Sequence, residues 1–498
     1  MSIRSKVIFG YLSQFYVTLV AIIMLPFYIK YMGAEAYGLV GFFMMLQTMF
    51  SLLDFGLSPT ISRESARFKA GVTSVIDYLR LFRALNLAFM LIAALGGGLL
   101  IVFSDIISSS WLNFNILEKE EVVFSIKIMA ICVALRWMCG LFRGVVIGSE
   151  NQVWFSGYNS GVATLRFVIV MPVMWLFGFT PTCFFSYQLL IAILELLGLY
   201  LKVRLLLPSW DDKRNAIGWS FKPLLPILKF SFTIAFTSSV WILVTQTDKL
   251  VLSGILPLND YGYFTLAVLV ASSINALSMP ISTVLMPRLA KLHAEGKSEE
   301  FFNIYRRSTK WVAIVAGSAA LTLALCSETI LLLWTGDLVL ATNAAPILTL
   351  YALGNGVLAV GAFPYYLQYA RGDLRYHLIG NIGLVIFLIP CTIYSAYHFG
   401  GIGAGYVWLV LNVIFVFFWL GYVHFKLEPG LHTRWLGRDV LLTLLPSFLF
   451  AILIFNSRIL NDFSEYKFII IFSIGLSVFA LSVFASGEFK SIFKLVRK

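Results

Sequence analysis

The chain reads as an all-α polytopic membrane protein with about fourteen transmembrane helices. Two six-helix lobes in parallel repeat are followed by two appended C-terminal helices. Three observations predict this. Apolar stretches of the length needed to cross the hydrocarbon of a bilayer, about 20 residues, recur along nearly the whole sequence. Hydrophobic residues make up 59% of the chain and charged residues 12%, with a mean hydropathy of +0.87, whereas a soluble domain carries about 25% charged residues. Self-comparison shows a repeat of about 224 residues, a period that marks a duplicated unit.

The first span, residues 7–29, follows Arg4 and Lys6. It is too long for the core of a signal peptide and lacks a small-residue cleavage site, so it reads as an uncleaved helix. Spans 37–61, 81–107, 122–147, 153–178 and 182–206 complete an N-lobe over residues 1–206, and a cytoplasmic linker occupies 207–225. Spans 226–256, 261–286, 311–334, 344–369, 376–397 and 402–424 form a C-lobe over 226–424. Residues 425–498 hold the extra spans, 440–456 and 467–486, and a basic tail. The longest polar connections, near 208–226 and 287–310, leave no room for a separate soluble domain. All five cysteines fall inside predicted spans, without the spacing of a metal site.

Charge orients the spans. With the N-terminus in the cytoplasm, alternate loops carry most of the basic residues, among them Arg63, Arg67, Lys69, Arg80, Lys202, Arg204, Lys213, Arg214 and Lys222. The later loops on that side carry Arg288, Lys291, Lys297, Arg306, Arg307 and Lys310, then Arg371, Arg375, Lys426, Arg434 and Arg438. Lys490, Lys494, Arg497 and Lys498 follow on the tail. These loops are short enough for the positive-inside rule to apply. Both termini are therefore expected in the cytoplasm, and the net charge of +12 is explained by an anionic leaflet without nucleic acid. Tyr31, Tyr37, Trp111, Trp210 and Trp334, near span ends, fit an interfacial aromatic belt.

The duplication is visible in single residues. Tyr37-Gly38 recurs as Tyr261-Gly262, and Arg63, Ala66 and Gly71 recur as Arg288, Ala290 and Gly296 within a residue or two. Six spans separate equivalent points, so both halves share one orientation. Lobes related by an axis along the membrane normal would leave a cavity between them for cargo.

The second span ends in Leu53-Asp54-Phe55-Gly56-Leu57-Ser58, followed by Arg63-Glu64-Ser65-Ala66. The seventh carries Gln246-Thr247-Asp248-Lys249-Leu250, followed by Asn259-Asp260-Tyr261-Gly262. In this order and spacing, across residues 1–424, the chain resembles the polysaccharide-transporter family: the O-antigen and repeat-unit flippases of the multidrug/oligosaccharidyl-lipid/polysaccharide exporter superfamily. The resemblance implies a flippase that moves an undecaprenyl-diphosphate-linked oligosaccharide from the cytoplasmic to the periplasmic leaflet of a bacterial inner membrane. It implies the lipid bilayer, a polysaccharide polymerase and chain-length machinery as surroundings and partners. The family often has twelve spans; fourteen is a feature shared with the lipid II flippase branch.

Charges inside the spans are the candidate functional groups, since each costs about 2.5–3.5 kcal/mol at the bilayer centre even on a lenient scale. Arg136 and Arg143 are seven residues apart on the fourth span and share a helix face; Arg166 lies in the fifth. Guanidinium groups can grip a diphosphate in bidentate fashion, so these arginines, with Arg83 in the third span, are candidate cargo contacts. The competing structural reading is an ion pair, most simply Arg166 with Glu195 in the sixth span. Asp248, Lys249 and Glu195 are candidates for ion coupling. Adjacent opposite charges are not expected to share a helix face, so Asp248 and Lys249 are expected to point apart. Lys127, nine residues before Arg136, is expected to snorkel at the outer end. Asp54 is expected to pin a loop, with Arg63 as partner.

No nucleophile motif, no pair of histidines at i,i+4 and no phosphate-binding loop occurs, so an enzyme is not expected, no cofactor is implied and ATP is excluded as direct energy source. A cation-coupled drug exporter of the same superfamily and a lipid II flippase are the nearest rivals; the former would favour an acidic cavity. A membrane glycosyltransferase or polymerase is disfavoured, because no outer loop is large enough to hold acceptor sugars.

Overall fold

A computed structural model describes residues 3–208, 222–457 and 466–488. Trp210, Lys213 and Arg214 of the expected linker, and Lys490, Lys494, Arg497 and Lys498 of the expected tail, lie outside the described residues. Within them the chain is helix upon helix, and eleven helical stretches are long and apolar enough to cross a membrane. Two more expected spans are helices outside that set, Pro181–Leu206 and Leu225–Ile255.

Packing divides the chain into two units, Met1–Gly262 and Tyr263–Lys498. The first contains α1 (Ile3–Met32), α2 (Ala34–Phe50), α3 (Leu57–Lys69), α4 (Val75–Val102), α5 (Lys119–Gly148), α6 (Gln152–Phe177), α7 (Pro181–Leu206) and α8 (Leu225–Ile255). Helix starts follow local chemistry: Ser74 accepts a bond from the Asp77 amide ahead of α4, and Thr180 accepts one from Cys183 with Pro181 in the first turn of α7. The seventh expected span, α8, packs on α2 and α3. Trp111 Nε1 further ties it to the chain after α4, donating to Ser253 Oγ at 2.9 Å. α8 thus packs with the first unit.

The second span is not continuous over 37–61. After α2 a tight turn covers Ser51–Asp54, and Phe55 (φ 45°) and Gly56 (φ 71°) take the left-handed conformation that ends one helix before α3 begins. Asp54 pins this break through Ser58, whose amide and hydroxyl donate to its carboxylate, the hydroxyl at 2.6 Å. Tyr37, expected at the interface, is buried in the core.

The repeated Tyr-Gly pair has a physical purpose. A Cβ on Gly38 would lie 2.1 Å from the Leu258 carbonyl, and one on Gly262 would lie 2.6 Å from the Ala34 carbonyl. Residues 34 and 38 thus meet residues 258 and 262 reciprocally, each copy of the motif packed on the other.

The helix α9 (Leu258–Ala294) runs from the first unit into the second, which continues with α10 (Ser298–Leu325), α11 (Ser327–Thr335), α12 (Leu338–Gly361), α13 (Phe363–Arg371) and α14 (Arg375–Leu427). Gly400 (φ 58°, ψ −141°) divides α14 where two spans were expected. The polar connection expected at 287–310 is largely helical: α9 reaches Ala294, Gly296 (φ 69°) turns the chain, and α10 begins two residues later. Its charged residues tolerate helix because Phe301 and Tyr305 bury one face while Arg288 and Glu300 clasp across the turn at 2.5 Å.

The appended pair, α15 (Leu431–Ser457) and α16 (Lys467–Ser486), docks on α10 through buried polar contacts. Ser447 and Ser482 hydroxyls lie 2.7 Å apart, and Ser318 donates to Ser482 at 3.1 Å. Arg306 pairs with the fully buried Asp439 at 2.6 Å. A chain of rings links Tyr305 to His424 at 2.8 Å and His424 to His432 at 3.0 Å.

Candidate functional site

The intramembrane charges of the first unit converge between α5 and α7. Arg136 and Arg143 share a face of α5, and Gln188 and Glu195, also seven residues apart, share a face of α7. Packing of these helices forms two rungs of equal register: Arg136 Nη2 donates to Gln188 Oε1 at 2.5 Å, and Arg143 Nη2 bonds Glu195 Oε1. Arg136 Nη1 donates to Gln47 Oε1 of α2 at 2.9 Å, and its guanidinium stands 5.2 Å from the centre of the Phe43 ring. Arg136 and Glu195 are both buried, at 7% and 3% exposure.

Arg166 reaches this cluster from a π-helical turn of α6, Thr164–Ile169, with Nη2 3.6 Å from Glu195 Oε2. Widened turns of this kind recur at functional sites. Three successive carbonyls here accept side-chain bonds: Leu165 from Tyr187 at 2.9 Å, Arg166 from Gln188 at 2.9 Å, and Phe167 from Tyr28 at 2.6 Å. Gln188 therefore positions both Arg136 and the backbone of Arg166. Tyr158 steadies the base of Glu195, donating to its carbonyl at 2.8 Å.

Charge is the decisive property. Three guanidinium cations face one carboxylate, an excess of two positive charges in a span region where each uncompensated charge is costly. The Arg166–Glu195 pair expected as the structural alternative is formed, and Glu195 also takes Arg143, so it bridges two cations. Arg136 donates its hydrogen bonds to two amides and, among the described residues, pairs with no acid. Among the described residues, the buried Nε donors of Arg136 and Arg166 have no hydrogen-bond partner. An anion with several oxygens is the chemical complement of such an arrangement.

The family model described as "Polysaccharide biosynthesis protein" matches residues 3–293. The chain belongs to that family. The family match covers this whole cluster, and the "Putative O-antigen transporter" of Shigella flexneri is 20% identical over 82% of the chain and 93% of its own length. Two solved structures share the fold. The "Lipid II flippase MurJ, inward closed conformation" has a TM-score of 0.72 at 16% identity, covering 98% of this chain and all of that one. An inward-facing multidrug resistance transporter of the MATE family has a TM-score of 0.65 at 13% identity, covering 82% of this chain and 94% of that one. The chain is thus a helical, multi-pass membrane protein of the polysaccharide biosynthesis family, and its fold is the one these solved structures share.

The remaining candidates of this family member, Asp248, Lys249 and Arg83, lie on helices other than those of the arginine cluster. Asp248 and Lys249 do not point apart as expected: Lys249 Nζ donates to the Thr245 carbonyl at 2.8 Å and to Asp248 Oδ1 at 3.1 Å. The long lysine stem curls back along α8, which the helix-face argument from Cβ directions alone misses. Arg83 sits partly exposed on α4, and Lys127 partly exposed on α5. Gln47 and Gln188 were not singled out in the sequence. The signal for Gln188 was its seven-residue spacing to Glu195, matching that of Arg136 and Arg143.

Proposed function

We propose that this transporter flips an undecaprenyl-diphosphate-linked oligosaccharide, an O-antigen or similar repeat unit, across the bacterial inner membrane by alternating access. The observation that carries this reading is the excess of two positive charges on Arg136, Arg143 and Arg166 over Glu195. A diphosphate stays anionic at neutral pH and offers oxygens in the spacing that paired guanidinium donors take. Family membership and the Shigella relative support a polysaccharide-linked cargo. The cluster makes a cationic drug a poor cargo, because its net charge repels one. A lipid II cargo has the same headgroup chemistry and is the second reading, favoured by the fold likeness to the flippase of that lipid.

In this proposal the two six-span repeats act as lobes, both termini are cytoplasmic, and the chain performs no covalent chemistry. Arg83 contributes at the cytoplasmic entry. Glu195 holds Arg143 and Arg166 in place until cargo arrives, and the Asp248–Lys249 pair is the candidate for ion coupling.

A deletion strain tests the function. Its loss should strand completed lipid-linked repeat units on the inner leaflet and deplete surface polysaccharide, whereas loss of a polymerase would export single units. In the complemented strain, Arg136→Ala should cut surface polysaccharide at least tenfold, about 1.4 kcal/mol in transport terms, at matched membrane abundance. Lys127→Ala should leave it near wild type. Equal, small effects of the two would remove Arg136 from the proposed site.

A further inference from the structure

The second unit encloses a cavity of about 770 Å³ among α10, α12, α14 and α15. Gly437 on α15 faces open space along its wall, while Gly317 on α10 and Gly356 on α12 line it where they pack closely on Leu444 and Ala320. The other lining side chains are aliphatic or aromatic, and those on the rim, such as Phe417, Leu442 and Phe448, are exposed. The cavity therefore opens sideways, toward the hydrocarbon that surrounds a membrane protein. An empty apolar void of this size forfeits dispersion contacts along its whole lining, and water has no polar partner inside it. Hydrocarbon is the occupant that fits.

The ends of the cavity indicate which hydrocarbon. Along α15 its lining runs from Leu436 to Phe448, a rise of about 18 Å, close to the ~15 Å depth of one leaflet's hydrocarbon. At the start of this stretch stand Arg434, two residues before Leu436, and Arg438, between the lining residues Gly437 and Val440; both are exposed. The neighbouring acids are already committed: Asp439 to Arg306 and Lys310, Glu428 to Arg371 and Glu488 to Arg307. Among the described residues, neither Arg434 nor Arg438 forms an ion pair. A basic pair at the membrane surface beside a leaflet-deep apolar hollow has the polarity of a phospholipid.

We propose that this cavity binds an anionic phospholipid of the surrounding bilayer, one acyl chain in the hollow and its phosphate on Arg434 and Arg438. In the orientation proposed above, the lipid belongs to the cytoplasmic leaflet. It bridges the appended helix α15 to the helices of the C-terminal repeat. Binding depends neither on that orientation nor on cargo transport, so failure of one proposal does not touch the other.

Native mass spectrometry of the full chain in mild detergent tests this, with phosphatidylglycerol and phosphatidylethanolamine of identical acyl chains as probes. The wild type should retain phosphatidylglycerol about tenfold more than phosphatidylethanolamine. Gly437→Trp should abolish retention of both; its Cβ meets open space, so the indole fills the hollow without straining the helix. Arg434→Gln with Arg438→Gln, both on the surface, should remove the preference while leaving acyl-chain binding. Equal retention of the two lipids by the wild type would overturn the proposal, as would undiminished retention by Gly437→Trp in a chain of unchanged melting temperature. Displacement of phosphatidylglycerol by equimolar undecaprenyl phosphate would also overturn it, assigning the hollow to the tail of the cargo.

Discussion

Arg136 is solvated by two amides, while Arg143 and Arg166 share a single acid. The amides satisfy donors without cancelling charge, and in the proposed function that charge serves an anion. Glu195 has a structural task that a test of stability will expose. Glu195→Gln leaves two guanidinium groups facing each other, and removing one partner of a buried pair costs about 3–5 kcal/mol. Because Arg143 is one-third exposed, the loss should lie at the low end, read as a lower denaturation midpoint in detergent. Adding Arg143→Gln should recover part of it, with a coupling energy of about 0.5–3 kcal/mol in the double-mutant cycle. Additive single effects would show that the pair does not act as a unit. Gln188→Leu should cost about 1–3 kcal/mol by leaving Arg136 short of an acceptor, and its transport defect should exceed its stability defect. The face shared by Arg136 and Arg143 was legible from spacing. Their amide partners were less so: Gln188 carried only its seven-residue spacing to Glu195, and Gln47 gains its role only once α5 is laid against α2.

At the scale of elements, apolar runs marked helices well and helix breaks poorly. The span 37–61 reads as one apolar stretch, yet Phe55-Gly56 breaks it, because hydropathy averages over a turn that two dihedral angles create. The polar segment 287–310 was expected as a connection and is largely helix, its apolar face supplied by Phe301 and Tyr305 and its partner face by tertiary packing. The close crossing of residues 34–38 with 258–262 yields a sharp prediction. Gly38→Ala forces a methyl group to within 2.1 Å of a backbone carbonyl, and overpacking costs about 1–3 kcal/mol or more. Gly98→Ala, where nothing stands within 4 Å, should be neutral in the same melting assay. Comparable melting temperatures for the two variants would show that the crossing is looser than the geometry requires.

For the whole molecule, the appended helices look dispensable in the repeat but are bonded to it. Asp439 holds Arg306 and Lys310, His432 closes the ring chain from Tyr305, and Ser447 and Ser482 meet Ser318. A chain ended after Leu427 would leave these groups unpaired in an apolar setting, and it should reach the membrane at a small fraction of full-length abundance on immunoblots. Normal abundance would mean the pair is an accessory. Reporter fusions at both ends should show cytoplasmic activity, since basic residues crowd alternate loops.

From the sequence alone came what depends on composition and one-dimensional spacing: a helical membrane chain, its span positions, its duplication and the arginines that share a face. These follow from solvent, because hydrocarbon demands long apolar helices whatever their neighbours. Only the tertiary structure decided which charges of different helices meet, and that four helices leave a lipid-sized hollow. Those outcomes depend on how helices distant in sequence are set side by side, and no local pattern encodes the distance between two faces.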